Sequence, residues 1–348
     1  MTALLTFKQT IREFYGKHDT WILPLLKFLL AITLFKGINS ILGYMEILDS
    51  IFVVLSLSLL CSVLPVNAMT IIGCGLIIGH CYAAGIEVAA FAIVLIILLM
   101  IMFLRFTSKD NLALVMAPVG FTFHVPAAVP IGCGLLREPS SAVPAGCGIV
   151  LYYFMCLVRD KAGVLQGKET EPLQKLQILL DGLVKNHEMW LVIITFAVVI
   201  LVVYVIRQSS FDYSWRVAVV AGTVIYIVFL LLGSMFFSVS IKTSGVLISG
   251  ILSALIGFLI EFAVLGVDYS RTEVTQFEDD EYVYYVKAVP KSFVPQKQKS
   301  VKTFATNKNK TEKDQTPEKK DPSFDFSEDS DEEVFDFGKQ LEESLKDL

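Results

Sequence analysis

Residues 66–77 read VNAMTIIGCGLI, and residues 125–136 read VPAAVPIGCGLL. The two stretches nearly repeat each other, and both lie inside longer apolar sequence. A duplicated membrane unit with a glycine-rich interruption is one way in which proteins build a transport site. The pair therefore predicts an internal repeat in a membrane protein, but it does not identify a transported species.

The composition of the whole chain is that of a membrane protein. Of its 348 residues, 54% are hydrophobic and 18% are charged, and the mean hydropathy is +0.63. These values depart far from those of soluble globular proteins. Several apolar runs reach, or extend to, the roughly 20 residues of a membrane-spanning helix, and lipid leaves a spanning segment no alternative to helix. We expect an all-α polytopic membrane protein with about eight to ten transmembrane segments.

The first residues predict an amphipathic helix. Leu4, Phe7 and Ile11 share one helical face, and charged residues occupy the opposite face. We expect residues 1–20 to lie along the membrane surface, with no cleavable signal peptide, and the transmembrane domain to occupy residues 21–266. The alternative is a soluble helical cap.

The repeat has two copies, at about residues 51–104 and 112–158, and each copy contains three apolar parts. The middle parts, residues 68–80 and 127–136, would form helices of only roughly 15–20 Å, well short of the hydrocarbon core. Prolines flank them, and proline stops or kinks a helix, which is tolerated at membrane depth where protein lines a cavity. We therefore expect short or broken helices inside the protein.

The direction of the copies depends on whether the short parts cross the bilayer. If every part crosses, three crossings separate the copies and the second copy is inverted; if the short parts are re-entrant, the copies are parallel. The inverted arrangement places Arg105, Lys109 and Arg137 in the cytoplasm, as the positive-inside rule prefers. It also places both termini in the cytoplasm.

The same arrangement puts a basic loop, residues 159–187, outside the membrane, against the rule. We accept this conflict because the opposite choice would export Arg207, Arg216 and the charged tail. Residues 172–185 predict an amphipathic surface helix, and the last three spans follow at about residues 188–266. On that surface helix Leu173, Leu176, Leu179, Leu180 and Leu183 form the apolar face, opposite Lys175, Asp181 and Lys185.

The six cysteines match no zinc, haem or redox motif. Three of them stand in Gly-Cys-Gly triplets, so a soft-metal path lined by thiols is one interpretation. We prefer the other, in which glycine permits close helix contact and cysteine fills space. We predict no metal site and no cofactor, and we expect close helix contacts at Gly73, Gly75, Gly132 and Gly134.

Four ionisable residues at membrane depth are candidates for a substrate pathway, because a charge there is costly and normally faces a cavity or a partner. They are Lys36, His80, Glu87 and His124, and the inverted arrangement places them all toward the outer side. They and the four glycines of the repeat form our candidate pathway. In the alternative, each of the four marks a helix end near lipid headgroups.

The C-terminal part changes character. Residues 267–291 predict a small cytoplasmic β-hairpin joined at Asp279 and Asp280, and residues 292–348 predict a disordered charged tail. The acidic residues 321–348 keep a helical stripe typical of a peptide that docks in a cytoplasmic partner's groove; the alternative is a solubilising extension. The stripe consists of Val334, Phe337, Leu341, Leu345 and Leu348.

Residues 268–291, DYSRTEVTQFEDDEYVYYVKAVPK, directly follow the last predicted span. This run, with FKQTIR at residues 7–12 and the order of the spans, resembles a family of uncharacterised multi-pass membrane proteins of anaerobic Gram-positive bacteria. The resemblance extends over most of the chain up to Lys291. It implies location in the plasma membrane and a permease-like character, and it supplies no catalytic or binding residues.

These observations predict a transporter or permease for a small solute or ion, with its site between the two copies near the Gly-Cys-Gly segments. The alternative is a membrane anchor or scaffold that recruits a partner through the hairpin and tail. An enzyme acting on lipid ranks third, because nucleophile and base groupings are absent from the sequence. Besides lipid and this possible protein partner, we expect no nucleic acid as a partner.

Overall fold

The computed structural model describes residues 2–107, 111–167, 171–264 and 273–288. These ranges are mostly helical, with one antiparallel hairpin near the C-terminus. The helices are α1 (Thr2–Leu42), α2 (Glu46–Asp49), α3 (Ile51–Val63), α4 (Val66–Ala84), α5 (Ile86–Thr107), α6 (Asn111–Thr122), α7 (Ala128–Leu136), α8 (Ala142–Asp160), α9 (Ala162–Gln166), α10 (Pro172–Val184), α11 (His187–Gln208), α12 (Ser214–Phe236) and α13 (Thr243–Val264). The strands are β1 (Glu273–Glu278) and β2 (Val283–Ala288).

Six candidate spans are long and apolar enough to cross a bilayer: Phe14–Leu42, Val66–Ala84, Pro139–Asp160, His187–Gln208, Ser214–Phe236 and Thr243–Val264. Three shorter apolar helices accompany them, at Ile51–Val63, Ile86–Met102 and Leu112–Thr122. The predicted helical membrane fold with a small hairpin is therefore confirmed.

The first helix has a break at its expected boundary. The backbone leaves the helical conformation at His18 (φ −126°, ψ 22°), just before Trp21. The N-terminal segment and the first span are thus two helical pieces joined by a kink. The amphipathic pattern of Leu4 and Phe7 lies outside the side chains that the structure describes.

Two contacts place the C-terminal ends of α1, α4 and α8 together. Asn39 near the end of α1 bonds His80 near the end of α4, at 2.9 Å. Tyr44, just after α1, donates from its hydroxyl to the carbonyl of Val158 near the end of α8, at 3.2 Å. These three helices therefore run in the same direction, and we call this end of the bundle the His80 end.

Two further contacts place the ends of α7 and α11 at the opposite end. The hydroxyl of Tyr153, late in α8, donates to Glu188 at the start of α11 at 3.0 Å, so α8 and α11 are antiparallel. Arg207 at the end of α11 donates to the carbonyl of Leu135 at the end of α7. The middle helices of the two copies, α4 and α7, thus run in opposite directions. We call this second end of the bundle the Arg207 end.

The two copies differ in length and packing. We expected both middle helices to be short, but α4 has 19 residues and is long enough to span, whereas α7 has 9. The expectation was wrong for α4 because its glycines continue the helix instead of interrupting it. In the first copy α4 packs along α5; in the second, α6 packs along α8 while α7 packs on α11 and α13. The repeat is thus a feature of the sequence that the packing does not reproduce.

The surface helix α10 forms as expected but presents a different face. Lys175, Leu179 and Leu183 are buried, whereas Leu173 is 76% and Leu180 is 53% exposed. The prediction that Lys175 lies on the solvent face was wrong. The physical reason is an ion pair with α5, described below.

Candidate functional site

A small apolar cavity lies among α1, α4, α6 and α8. Helix α4 belongs to the first copy of the repeat and α6 and α8 belong to the second, so the cavity lies where the copies meet. The walls consist of Leu34 and Ile38 from α1, Thr70, Gly73, Cys74 and Ile77 from α4, Leu114, Val115 and Pro118 from α6, and Leu151 and Met155 from α8.

Thr70 supplies a polar atom to this apolar wall. Its residue is 4% exposed, and its Oγ1 has no hydrogen-bond partner among the described residues. The helical threonines Thr195 and Thr223 instead donate to the carbonyl four residues earlier, at 2.8 and 2.9 Å. The hydroxyls of Ser58, Ser141 and Ser253 are likewise buried without a partner among the described residues, and these serines do not line the cavity.

Pro118 adds a second polar feature. It lies inside α6 and has no N–H, so it cannot donate to the carbonyl of Leu114, one turn earlier on the same helix. Both residues line the cavity. On its other side the Leu114 carbonyl lies so close to Gly148 of α8 that a Cβ there would overlap the oxygen. The Leu114 carbonyl thus receives no hydrogen bond from Pro118 and lies against the backbone of α8 at Gly148.

His80 lies outside the cavity, in a closed polar network. The residue is fully buried, its Nε2 lies 2.9 Å from the Oδ1 of Asn39, and its Nδ1 accepts from the backbone N–H of Met45 at 3.2 Å. Asn39 also donates to the carbonyl of Leu48 at 2.8 Å. Every ring nitrogen has a partner, so this histidine fixes the connection between α1 and α3.

Glu87 also has a partner away from the cavity. Its carboxylate lies 3.9 Å from the Nζ of Lys175, and the side chains are 23% and 9% exposed respectively. Glu87 stands in the first turn of α5, where the helix dipole favours a carboxylate. The pair joins α10 to α5.

Lys36 and His124 are exposed. The backbone next to Lys36 packs near the backbone that precedes His124. A Cβ added at Gly37 would lie 3.1 Å from the hydroxyl of Thr122. His124 has a left-handed backbone conformation (φ 59°) at the turn after α6. Among the described residues, the four predicted ionisable residues do not form one polar cluster, because His80 bonds Asn39, Glu87 pairs with Lys175, and Lys36 and His124 are exposed.

The glycines of the repeat differ in their surroundings. A Cβ at Gly134 would lie 2.7 Å from Val203, so the predicted close contact is real there. Gly73 and Gly132 would make ordinary contacts at 3.5 Å, and Gly75 faces open space, so the expectation was wrong for these three. Of the predicted pathway residues, Gly73 lines the cavity.

The cysteines pack as apolar side chains. Cys74 and Cys147 are buried, and none of the cysteines in the described chain forms a disulfide. Within the same ranges, no group of three or more His, Cys, Asp and Glu side chains is placed to hold a metal ion.

The hairpin pairs β1 with β2 in antiparallel register from Glu273–Ala288 to Glu278–Val283. Asp279 closes the turn, because its Oδ1 accepts from the N–H of Glu281 at 3.0 Å and of Tyr282 at 2.7 Å, and its Oδ2 accepts from the Tyr284 hydroxyl at 3.0 Å. These bonds lower the pKa of Asp279, with the Glu281 bond the largest cause.

Aromatic side chains cover the hairpin surface. Phe277 stacks on Tyr284 with ring centroids 5.0 Å apart, while Tyr282 and Tyr285 are 62% and 75% exposed. The predicted tail stripe, Val334, Phe337, Leu341, Leu345 and Leu348, lies outside the described residues.

Sequence reasoning missed three residues that matter here, namely Asn39, Thr70 and Pro118. Asn39 and Pro118 carried a usable signal, since a buried amide and a proline within an apolar helix are both exceptional at membrane depth. Thr70 carried none, because threonine normally bonds its own helix.

Comparisons of the chain with models of protein families, with curated proteins and with solved structures find no match.

Proposed function

We propose that this integral membrane protein is a transporter or permease that moves a small solute or ion across the bilayer. The observation that carries the proposal is the cavity between α4 of the first copy and α6 and α8 of the second, with the partnerless Thr70 hydroxyl in its wall. Transport sites commonly lie between membrane repeats, beside discontinuous helices. Here α7 has nine residues, too few to span the bilayer, and α6 contains Pro118.

We further propose that the protein belongs to the Gram-positive membrane family that its sequence resembles, with a plasma-membrane location and both termini in the cytoplasm. Arg207 donates to Leu135, two residues before Arg137, and so both arginines stand at the Arg207 end of the bundle. Arg216, in the first turn of α12, pairs with Glu261 at 3.0 Å. The positive-inside rule favours the cytoplasm for this end.

The test measures solute flux into proteoliposomes by stopped-flow light scattering, with glycerol, urea and potassium chloride as probes. Two variants of α4 are compared. Ile77→Phe fills the cavity, and Ile71→Phe changes a side chain that is 62% exposed on the same helix.

We expect flux of at least one probe above that of protein-free vesicles, lowered about tenfold by Ile77→Phe and unchanged by Ile71→Phe. Cys74→Met replaces Ile77→Phe if the larger side chain prevents folding. Equal flux in the cavity and control variants, or no flux above protein-free vesicles for any probe, would contradict the proposal.

A membrane scaffold is the second candidate, favoured by the exposed aromatic side chains of the hairpin. The two functions differ in what the hairpin does. Deletion of residues 273–288 should leave flux intact in a transporter, whereas a scaffold should lose its partner and show no flux in the first place.

A further inference from the structure

We propose that Arg207 binds a phosphate group at the Arg207 end of the bundle, supplied by a membrane lipid headgroup or by free phosphate. The inference goes beyond transport and does not depend on it.

Arg207 has no counter-charge among the described residues. The residue is half-buried, and within those ranges its guanidinium donates to the carbonyl of Leu135 but pairs with no carboxylate. Arg216, at the same end, differs because its guanidinium pairs with Glu261 at 3.0 Å. A partly desolvated cation without an opposite charge is unfavourable beside a membrane. The charge of Arg207 therefore calls for an anion from outside the described chain.

The guanidinium of Arg207 is held in place by three elements. Its Cζ lies 5.2 Å from the ring centre of Tyr204, one turn earlier on α11, and 5.8 Å from that of Trp215 in the first turn of α12. The third contact is the Leu135 carbonyl at the end of α7. A guanidinium has five N–H donors in a planar fork, so one bond leaves donors for a ligand.

The position of Arg207 suits a phosphate. It is the last residue but one of the candidate span His187–Gln208, at the depth where a span leaves the hydrocarbon and lipid phosphates lie. The planar fork matches two phosphate oxygens, and tryptophan and tyrosine favour the same depth. Basic sites between membrane helices bind anionic headgroups in this way. A zwitterionic headgroup is a poorer ligand because it carries its own cation.

The experiment measures lipid binding beside Trp215 in the full-length protein. Trp21→Phe and Trp190→Phe, at two exposed positions, leave Trp215 as the only tryptophan. The protein is reconstituted in phosphatidylcholine vesicles with increasing amounts of brominated phosphatidylglycerol, which quenches nearby tryptophan fluorescence. Arg207→Gln removes the charge. Arg207→Lys and Arg216→Lys form a matched pair that keeps the charge at each position.

We expect phosphatidylglycerol to bind beside Trp215 about tenfold more tightly than phosphatidylcholine, the effect of about one charge-assisted hydrogen bond. Arg207→Gln should lower this ratio to about one. Arg207→Lys should lower it to about three, because lysine offers a point charge instead of a fork. Arg216→Lys should leave it unchanged. A structural role alone would lower stability in the Arg207 variants and leave the ratio at its wild-type value.

The second arm separates the two sources of phosphate. Inorganic phosphate is added to the protein in vesicles of phosphatidylcholine alone, and the emission of Trp215 is recorded for wild type and Arg207→Gln. A preference for phosphatidylglycerol without an emission shift assigns the lipid headgroup, and an Arg207-dependent shift assigns free phosphate. A lipid ratio of one together with no shift would overturn the proposal. A preference that persists in Arg207→Gln would also overturn it, since the general surface charge would then be the cause.

Discussion

The Nε2 of His80 lies 2.9 Å from the Oδ1 of Asn39, and this buried pair joins α4 to α1. The Nδ1 of the same ring accepts from the N–H of Met45, so the network assigns the proton to Nε2, which donates to Asn39. Asn39 in turn donates to the carbonyl of Leu48. The pair therefore holds the α1–α3 connection against the end of α4.

Replacement of either partner should destabilise the fold. Asn39→Leu or His80→Leu leaves buried donors and acceptors without partners, which costs about 1–3 kcal/mol. Thermal unfolding in detergent measures the effect, and Ser40→Ala, at an exposed neighbour of Asn39, is the control. In the double variant the two losses should not add, because the partners act as one unit. Strict additivity would show that the residues act separately.

Gly134 and Gly75 should respond oppositely to the same substitution. Gly134→Leu places a Cβ 2.7 Å from Val203 and 3.0 Å from the Ile200 carbonyl, so the α7–α11 contact must open, at a typical cost of about 1–3 kcal/mol. A Cβ at Gly75 meets no atom within 4 Å, so Gly75→Leu should be nearly neutral. Folded yield and thermal stability compare the two. Equal loss in both variants would mean that the glycines act through the helix backbone alone.

The Glu87–Lys175 pair should respond asymmetrically. Glu87→Gln strands an ammonium group that is 9% exposed, whereas Lys175→Met leaves a carboxylate that is 23% exposed and favoured by the α5 dipole. We expect Glu87→Gln to cost more, approaching the about 3 kcal/mol at the lower end for broken buried pairs. Hydrogen exchange of α10 amides measures the loss of docking.

The exposed pair of Lys185 and Asp181 on the same helix is the matched control. Asp181→Asn should change stability by no more than about 0.5 kcal/mol. Faster exchange in Asp181→Asn than in Glu87→Gln would refute the assignment of the docking contact.

The hairpin should lose its turn in acid. Because the pKa of Asp279 is lower in the hairpin than in the unfolded chain, its stabilising contribution is complete above about pH 4 and disappears as the pH falls through the lowered pKa. The amide signal of Tyr282 in ¹⁵N-tyrosine-labelled protein reports the transition. Asp279→Ala should shift this signal at all pH values and Asp280→Ala should not. A midpoint above pH 4 would contradict the lowered pKa.

The spans and the hairpin were predictable because hydropathy and β-branched composition are local properties of the sequence. The length of α4 was not predictable, because the glycines of residues 66–77 indicate an interruption of the helix in the sequence, whereas helices in membranes tolerate glycine. The burial of Lys175 was not predictable from the pattern of α10. It is favourable only because Glu87 on α5 supplies an opposite charge. Helical periodicity alone places a lysine outside.

The chemistry of the candidate site was not predictable from the sequence. The first duplicated segment lines the cavity through Thr70, Gly73, Cys74 and Ile77, whereas no residue of the second segment, 125–136, lines it. The ionisable residues were assigned to it because charge at membrane depth usually marks a pathway, yet His80 and Glu87 bind Asn39 and Lys175 instead. Such pairings join residues distant in the chain, and no local pattern encodes them.

Everything proposed for transport depends on the two copies crossing the bilayer in opposite directions. Asn67 at the start of α4 and His124 just before α7 occupy nearly equivalent positions in the repeat, and both are exposed. In the inverted arrangement Asn67 lies at the Arg207 end and His124 toward the His80 end.

The most direct measurement places single cysteines at Asn67 and His124 in a background that lacks the native six, and labels them with an impermeant maleimide in right-side-out and inside-out vesicles. We predict that the cysteine at His124 reacts from the outside and the cysteine at Asn67 only from the cytoplasmic side. Reaction of both from the same side would contradict the inverted arrangement and, with it, the transport route between the copies.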